Sequence, residues 1–158
     1  MTIDKINNKS ISRIAAIQTL YQHANSEPIT SIEITLEKII DYYKNSNIDS
    51  DYGLDNTSKN KLKPSYKHLQ ELVTFTNENI TEIDKIITSY LKQGWTIETL
   101  PILLLSILRV AITEIKFFPE IGAKIIINEY TDIASDMLNE NEIGFVNSVL
   151  DKFAKQYR

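Results

Sequence analysis

The sequence predicts an all-α protein. Along most of its 158 residues, apolar side chains recur at spacings of three and four, which places them on one face of a helix. Only four glycines and four prolines are present, too few for the many tight turns of a protein built from β-hairpins. The length is sufficient for a sizeable core without disulfides or metals. We therefore expect helices packed around a hydrophobic interior.

The first predicted helix runs from about Ser10 to Ala24. Ile14, Ile17, Tyr21 and Ala24 follow the helical spacing and form its predicted apolar face. Ser10 is the predicted N-cap, because a serine hydroxyl can accept a hydrogen bond from a free backbone N–H of the first turn.

Two further helices complete the first half of the chain. One spans about Ile32 to Lys44, and a long one starts near Pro64, a residue that suits the first position of a helix, and ends at residues 92–94. Between them lies a polar stretch rich in asparagine, serine and aspartate, residues 45–63. This composition predicts a mobile loop.

A Leu-rich helix is predicted from Pro101 to about Phe117, ending before Pro119. It is apolar on nearly all sides, and its apolar run is interrupted by Ser106 and Arg109. The run is shorter than the roughly 18 to 20 residues that a membrane span needs. We therefore interpret it as a central core helix.

The last two predicted helices cover about residues 123–138 and 141–155. The apolar face of the final helix is formed by Val146, Val149, Leu150 and Phe153. The two halves of the chain, residues 1–93 and 94–158, are each predicted to form a small bundle of about three helices, with a shared interface.

Composition excludes several classes of function. The absence of cysteine excludes disulfides, thiolate zinc sites and cysteine nucleophiles, and agrees with a reducing cytosol. The net charge of −4 argues against a chain that binds nucleic acid by overall electrostatics, so such a role needs a local basic patch or a basic partner. The polar N-terminus lacks the apolar segment of a secretory signal. We expect a cytoplasmic protein with no cofactor, no metal site and no membrane span.

The sequence predicts no catalytic site. It contains no P-loop, dinucleotide fingerprint, HExxH or GxSxG motif. Glu129, Asp132 and Asp136 lie on successive turns, a spacing that usually marks a solvated helix face. Arg109 lies in apolar surroundings and is predicted to be structural, with Glu114 or Glu129 as its partner. We expect the protein not to be an enzyme.

Three basic residues recur every four positions near the N-terminus: Lys5, Lys9 and Arg13. If the first helix extends that far, they form one basic ridge. Helix N-termini attract phosphate through their free N–H groups and the helix dipole, so this is the best candidate anion site in the sequence. The alternative is a frayed, solvated N-terminus.

Phe145 in the last helix lies away from the apolar face, on the side that carries Lys152. Aromatic rings beside basic groups hold the unpaired bases of single-stranded RNA, which makes this pair a candidate RNA contact. The alternative is that Phe145 belongs to the periphery of the core. The residues alone leave both interpretations open.

Stretches at both ends of the chain resemble the NusB antitermination-factor family. Near the start, SRIAAIQTLYQ resembles the first-helix motif RxxAxQxLY of that family. Towards the end, LRVAITEI, FFPEIGAKIIINEYTDIA and NEIGFVNSVLDK resemble its pattern LRxAxYEL…PxKVxINEAxxxAK…FVNGVLDK. The resemblance covers most of the chain and fails only in the loop at residues 45–63.

The resemblance implies an all-helical fold of two three-helix bundles packed across each other. It also implies a function. Members of this family bind the boxA RNA element as a pair with NusE, a small-subunit ribosomal protein, and help the RNA polymerase antitermination complex to read through ribosomal RNA operons. A basic ribosomal partner would supply the long-range attraction for RNA that an acidic chain lacks.

The same resemblance gives individual residues expected roles. Phe145 falls where the family places an aromatic near its RNA surface, and Lys9 and Arg13 fall in its basic first-helix segment. Tyr21 falls on the tyrosine that faces the protein partner.

Some positions depart from the family pattern. The arginine-rich start is reduced here to Lys9 and Arg13, which suggests weaker RNA affinity without the partner. Leu104 and Leu105 replace an acid–base pair whose acidic member belongs to the partner interface. Gly144 replaces the basic residue that usually precedes FVN.

These residues are compatible with two different functions. The first is an RNA-binding transcription factor that works with NusE. The second is a helical adaptor that binds mainly protein, or a homodimer, with little RNA binding of its own. Neighbouring exposed leucines imply a protein contact, so exposure of Leu104 and Leu105 would favour the second. The free chain is expected to be a monomer or a homodimer.

Overall fold

The computed structural model describes residues 7–45 and 63–158, and its regular elements are all helical. The α-helices are α1 (Asn8–Ala24), α2 (Ile32–Asn45), α3 (Tyr66–Glu78), α4 (Ile80–Ser89), α5 (Ile102–Phe117), α6 (Ala123–Met137) and α7 (Glu140–Tyr157). A short 3-10 helix, Ile97–Thr99, precedes α5. No β-strand occurs in the described ranges, and the all-α class is confirmed. The predicted mobile loop lies, apart from its ends, outside the described residues.

The chain divides into two compact units, Met1–Val73 and Thr74–Arg158. The first contains α1, α2 and most of α3, and the second contains the end of α3 and the helices α4 to α7. The predicted boundary at residues 93 and 94 falls inside the second unit. Helix α4 packs against α5, which keeps the residues before position 93 with the second unit.

Helix α1 begins earlier than predicted, and its N-cap is Asn7 rather than Ser10. The Asn7 Oδ1 atom accepts hydrogen bonds from the Ser10 backbone N–H at 2.9 Å and from the Ser10 hydroxyl at 3.2 Å. Asparagine caps helices as well as serine does, so Asn7 can cap α1 three residues before the predicted position. Ser10 is buried in the first turn.

The buried face of α1 also differs from the predicted one. Ile17 is buried, but Tyr21 is 41% exposed and Ala24 is exposed. The other buried side chains of α1 are mostly small: Ser10, Ser12, Ala15, Ala16 and Thr19, with Arg13 and Leu20 as the large exceptions. Small side chains allow close packing around most of the helix, and the spacing of large apolar residues does not reveal this.

The long third helix predicted up to Leu91 is instead two helices, α3 and α4, which meet at Asn79. The Asn79 backbone has φ −116° and ψ 20°, and its side-chain amide donates to the carbonyl oxygen of Phe75 at 2.8 Å. Asparagine side chains compete in this way for carbonyl groups of the helix backbone. The apolar spacing continues through the junction, which is why it predicted one helix.

Helix α5 is the predicted core helix. Eleven of its 16 residues are buried, and it ends at Phe117, before Pro119, as predicted. Within the described ranges, no helix combines the length and the apolar character that crossing a membrane requires.

Polar side chains on α5 have partners within the second unit. The Ser106 hydroxyl donates to a backbone carbonyl one turn earlier at 2.8 Å. The Thr76 hydroxyl donates to the Thr113 hydroxyl at 2.9 Å, and the Tyr130 hydroxyl donates to the Glu114 carboxylate at 2.7 Å. Because a buried polar group without a partner is costly, these bonds allow α5 to be buried on nearly all sides.

Arg109 is paired with Asp84 of α4, not with Glu114 or Glu129 as predicted. Its Nε and Nη2 atoms donate to the two carboxylate oxygens of Asp84, each at 2.8 Å. The prediction of an ion pair was right and the partner was wrong, since no residue pattern indicated that α4 would cross α5 at this point. The two side chains are 19% and 25% exposed, so water screens the pair in part.

In the first unit, Tyr43 connects α2 to α1. Its hydroxyl donates to the Gln18 side-chain carbonyl at 2.9 Å. Burial and, to a lesser degree, the neighbouring Tyr42 raise the pKa of Tyr43 to about 12. The hydroxyl therefore keeps its proton and remains a donor well above neutral pH.

Arg109→Ala should lower the free energy of unfolding by about 1 to 3 kcal/mol, because it leaves a partly buried Asp84 carboxylate without its bidentate partner. Fully buried pairs lose about 3 to 5 kcal/mol, and water around this pair reduces the effect. Urea denaturation followed by circular dichroism measures the change. Lys155→Ala is the matched control, because its ion pair with Asp151 is 76% and 51% exposed. Equal losses in the two variants would contradict a structural role for Arg109.

Candidate nucleic-acid interface

The start of α1 presents part of the predicted basic ridge. Lys9 lies in the first turn and is exposed, whereas Lys5 lies outside the described residues. The Asn8 carbonyl accepts from the Ser65 backbone N–H at 3.2 Å, and the Ser12 hydroxyl donates to the Ser65 carbonyl at 2.8 Å. These bonds tie the first turn of α1 to the segment before α3 and so fix the backbone that carries Lys9.

Arg13 does not share an exposed ridge with Lys9, because it is only 2% exposed. It lies one turn before Ile17 and two turns before Leu20, both buried, and therefore on the core side of α1. It also makes interactions within the chain. The spacing of four residues predicted that Lys9 and Arg13 would lie on one side of α1. The burial of the apolar residues that follow them places Arg13 towards the core. A contact between Arg13 and RNA stays a prediction.

The predicted apolar face of α7 is confirmed. The buried residues of this helix are Val146, Val149, Leu150, Phe153 and Ala154. A capping box fixes its start. The Asn139 side chain accepts from the Glu142 backbone N–H at 2.9 Å, and the Glu142 carboxylate accepts from the Asn139 backbone N–H at 3.2 Å.

Phe145 lies off this face, as its position in the sequence predicts, and is half-buried. Lys152, seven residues later, lies on the same side of α7 and is exposed. Gln156 continues this side and accepts a hydrogen bond from the Tyr90 hydroxyl at 2.6 Å. Burial raises the pKa of Tyr90 above its usual value, so the hydroxyl stays a donor.

A cavity of about 460 Å³ opens beside Phe145. Three segments of the second unit form its walls: Leu91, Lys92 and Trp95 after α4; Leu100, Pro101 and Leu104 at the start of α5; and Asn141, Glu142 and Phe145 in α7. Phe145 is thus neither a core residue nor an isolated surface ring. It forms part of the wall of a largely apolar cavity.

Trp95 is placed at this cavity by a tight turn. Its backbone N–H donates to the Lys92 carbonyl at 3.0 Å, and Gly94 between them has φ 89°, a conformation that only glycine adopts without strain. Trp95 is 54% exposed. The cavity was not predicted from the sequence. The one feature that could have indicated it is Trp95, a large aromatic residue that directly follows a glycine and lies outside the predicted helix faces.

Leu104 and Leu105, predicted as partner contacts, are 4% and 6% exposed. The exposed leucine pair that would favour a protein adaptor is therefore not present. Leu104 instead lines the cavity. Tyr21, the other predicted partner contact, is 41% exposed near the end of α1.

The acidic residues of α6 are not part of a metal-binding group in the described part of the chain. Asp132 is half-buried and Asp136 is exposed. Among the described residues, no three or more histidine, aspartate or glutamate side chains are grouped so that they could hold a metal ion.

Comparison with known proteins gives a consistent result. Residues 10–155 match the sequence model of the NusB family. A relative from Rickettsia bellii named transcription antitermination protein NusB is 46% identical over 158 residues, which cover 99% of this chain and 96% of the relative. The solved structure of T. maritima NusB has a TM-score of 0.72 at 26% identity and covers 96% of this chain and 94% of its own. A structure of the antitermination factors NusB and NusE with dsRNA has a TM-score of 0.69 at 20% identity, with 94% and 96% covered, and shows a likeness of fold.

Arg13→Ala should lower the free energy of unfolding by about 2 to 5 kcal/mol, because it removes a buried guanidinium that makes interactions within the chain. Lys9→Ala, four residues earlier and exposed, is the matched control and should change stability by less than about 0.5 kcal/mol. Arg13→Lys should restore little of the loss, since an ammonium does not reproduce the fork of a guanidinium. Urea denaturation provides the measurement. An Arg13→Ala protein that is as stable as the wild type but binds RNA less well would reverse this assignment.

Proposed function

The chain belongs to the NusB family, and we propose that it is a non-catalytic transcription antitermination factor that binds boxA-type RNA of ribosomal RNA operons together with the ribosomal protein NusE. The observation that supports this most directly is the geometry of α7. The segment NEIGFVNSVLDK lies in α7, whose start is capped by Asn139, and it carries half-buried Phe145 and exposed Lys152 on one side. An aromatic surface beside a cation is how single-stranded RNA is held without a deep groove.

In the first unit, Lys9 is the proposed phosphate contact. It is exposed in the first turn of α1, close to the free N–H groups and the positive end of the helix dipole. A phosphate contact of this kind positions the RNA without reading its sequence. The base contacts in the second unit would then carry whatever sequence preference the chain has.

The proposed NusE contact includes Tyr21. Three large apolar side chains at or beside the connection between α1 and α2 are exposed: Tyr21 by 41%, Ile29 by 88% and Ile34 by 45%. Exposed apolar side chains are typical of surfaces that bind protein when they form one contiguous patch. The family resemblance assigns Tyr21 to the partner, and its exposure supports that assignment.

The charge of the chain explains why a partner is needed. With 17 basic and 21 acidic residues, the chain repels a polyanion at long range. A basic ribosomal protein bound at the Tyr21 surface would reverse that field and supply phosphate contacts of its own. We place this assembly in the cytoplasm, within the RNA polymerase antitermination complex. The adaptor alternative loses its expected support, because Leu104 and Leu105 are buried.

The isolated chain should bind single-stranded boxA-type RNA weakly, and addition of NusE should tighten binding. The reason is the net charge of −4 together with the burial of Arg13, which leaves Lys9 as the exposed cation of the predicted ridge among the described residues. Anisotropy of labelled RNA, measured across a salt series with and without NusE, tests this. NusE should also steepen the salt dependence, since each phosphate contact to a single strand adds about 0.7 to the slope. Equal affinity with and without NusE would refute the proposal.

Gly144→Lys should strengthen RNA binding and steepen its salt dependence, because it restores a cation next to Phe145. A Cβ atom at Gly144 meets no heavy atom within 4 Å, so a side chain fits. Gly144→Ala is the matched control. Both substitutions should stabilise α7, by up to about 1 kcal/mol from helix propensity, but only lysine adds charge. If alanine and lysine change RNA affinity equally, the effect is one of helix stability and this position does not face the RNA.

A further inference from the structure

The cavity beside Phe145 has the composition of a ligand pocket. Its volume of about 460 Å³ lies within the range of about 300 to 1,000 Å³ that is usual for small-molecule sites. Six of its nine lining residues are apolar and two of these are aromatic, Trp95 and Phe145. Pockets of this kind bind a flat apolar group and orient it with a few polar atoms at the edge.

Polar groups suited to orienting such a ligand are present and unused. The Asn141 side-chain amide, which can both donate and accept, has no hydrogen-bond partner in the part of the chain that the structure describes, and the same holds for the Trp95 indole N–H. Both side chains are exposed, so they are reachable from solvent. A ligand with donors and acceptors along its edge would satisfy them.

One negative charge at the cavity disfavours a phosphate in its interior. Glu142 is one of the lining residues, its carboxylate accepts a hydrogen bond from the Asn139 backbone N–H at 3.2 Å, and its negative charge repels an anion at close range. Lys92 is exposed at the same cavity and suits a phosphate that stays outside. The cavity therefore favours a neutral ring inside and an anion at the mouth, which is the charge distribution of a nucleotide.

An aliphatic side chain from a protein fits this cavity less well. It would cover the Asn141 amide and the Trp95 N–H without bonding to them, and an unsatisfied polar group carries a desolvation penalty. A nucleobase offers two π-faces for the aromatic rings and an edge of donors and acceptors for the amide. The chemistry of the lining thus selects a base over an apolar protein anchor.

We propose that this cavity is a pocket for a single unpaired RNA base, with Trp95 and Phe145 as its aromatic surfaces, Asn141 at the base edge and Lys92 at the flanking phosphate. The inference rests on the proposed function, because the base belongs to the RNA that the chain binds. The proposed pocket adds to that function a site that holds one unstacked base. It also gives a role to Trp95, which lies outside the family motifs quoted above.

Trp95 is the single tryptophan of the chain, so its fluorescence reports on the pocket directly. The full chain is titrated with single-stranded boxA-type RNA that carries an end label, and label anisotropy and tryptophan emission are recorded together. The expected result is quenching of Trp95 that saturates along the same curve as the anisotropy. Binding with unchanged tryptophan emission overturns the pocket and leaves the proposed function intact. No binding in either signal overturns both.

Substitution gives the second test. Trp95→Ala and Phe145→Ala should each weaken RNA binding roughly 5- to 150-fold, the range that loss of base stacking produces. Trp95→Phe should restore most of the loss. Tyr42→Ala is the matched control, because Tyr42 is 55% exposed, like Trp95, but lies in the other unit. Trp95 is outside every helix, so its variants should unfold at the same urea concentration as the wild type.

An RNA series with one abasic nucleotide at a time locates the base. At a single position the abasic RNA should bind the wild type as weakly as intact RNA binds Trp95→Ala, and the variant should lose nothing further there, since both changes remove the same contact. If Trp95→Ala binds all RNAs like the wild type, or instead weakens binding of NusE in the absence of RNA, the pocket does not hold a base.

Discussion

The second unit depends on burying α5 without leaving its polar groups unpaired. A buried donor or acceptor without a partner costs about 1 to 3 kcal/mol, and this helix carries Ser106, Arg109, Thr113 and Glu114 among its apolar residues. Three of them are bonded by side chains from other helices: Asp84, Thr76 and Tyr130. Near its C-terminal end, the Arg158 guanidinium donates to the carbonyl oxygens of Ile115, Phe118 and Ile121 at 2.6 to 3.0 Å. These bonds help to determine which helices pack against α5 and at which residues each of them contacts it.

The need to pair the polar side chains of α5 is also related to the position of the cavity. The paired side chains occupy the middle and the C-terminal half of α5, and the residues that line the cavity at or just before its N-terminal end are apolar: Leu100, Pro101 and Leu104. The capped start of α7 and the turn at Gly94 bring Phe145 and Trp95 to this end. A functional surface on short segments between fixed helices is a common arrangement, since the helices supply rigidity and the segments supply the side chains.

Apolar spacing predicted the elements well wherever burial on one face decides the structure, as in α2, α5 and α7. It failed where a single polar side chain decides. Asn79 splits the third helix by bonding a backbone carbonyl, and Asn7 rather than Ser10 caps α1. The partner of Arg109 and the burial of Arg13 depend on how the helices pack, which the spacing of residues along one helix does not reveal. At the candidate site, the off-face position of Phe145 was predicted, but the cavity was not, because its walls come from three separated segments.

The departures from the family pattern have the same effect, because each removes charge. Leu104, Leu105 and Gly144 each stand where the family pattern has charged residues, and all three are uncharged. At the same end of the second unit, Trp95 and Phe145 present aromatic surface to a cavity. Charge acts over about 8 to 10 Å at physiological salt and mainly accelerates encounter, whereas stacking acts only on contact and mainly slows release. On the proposed function, this chain therefore leaves the capture of RNA to its basic partner and contributes the contact that retains one base once the strand has arrived.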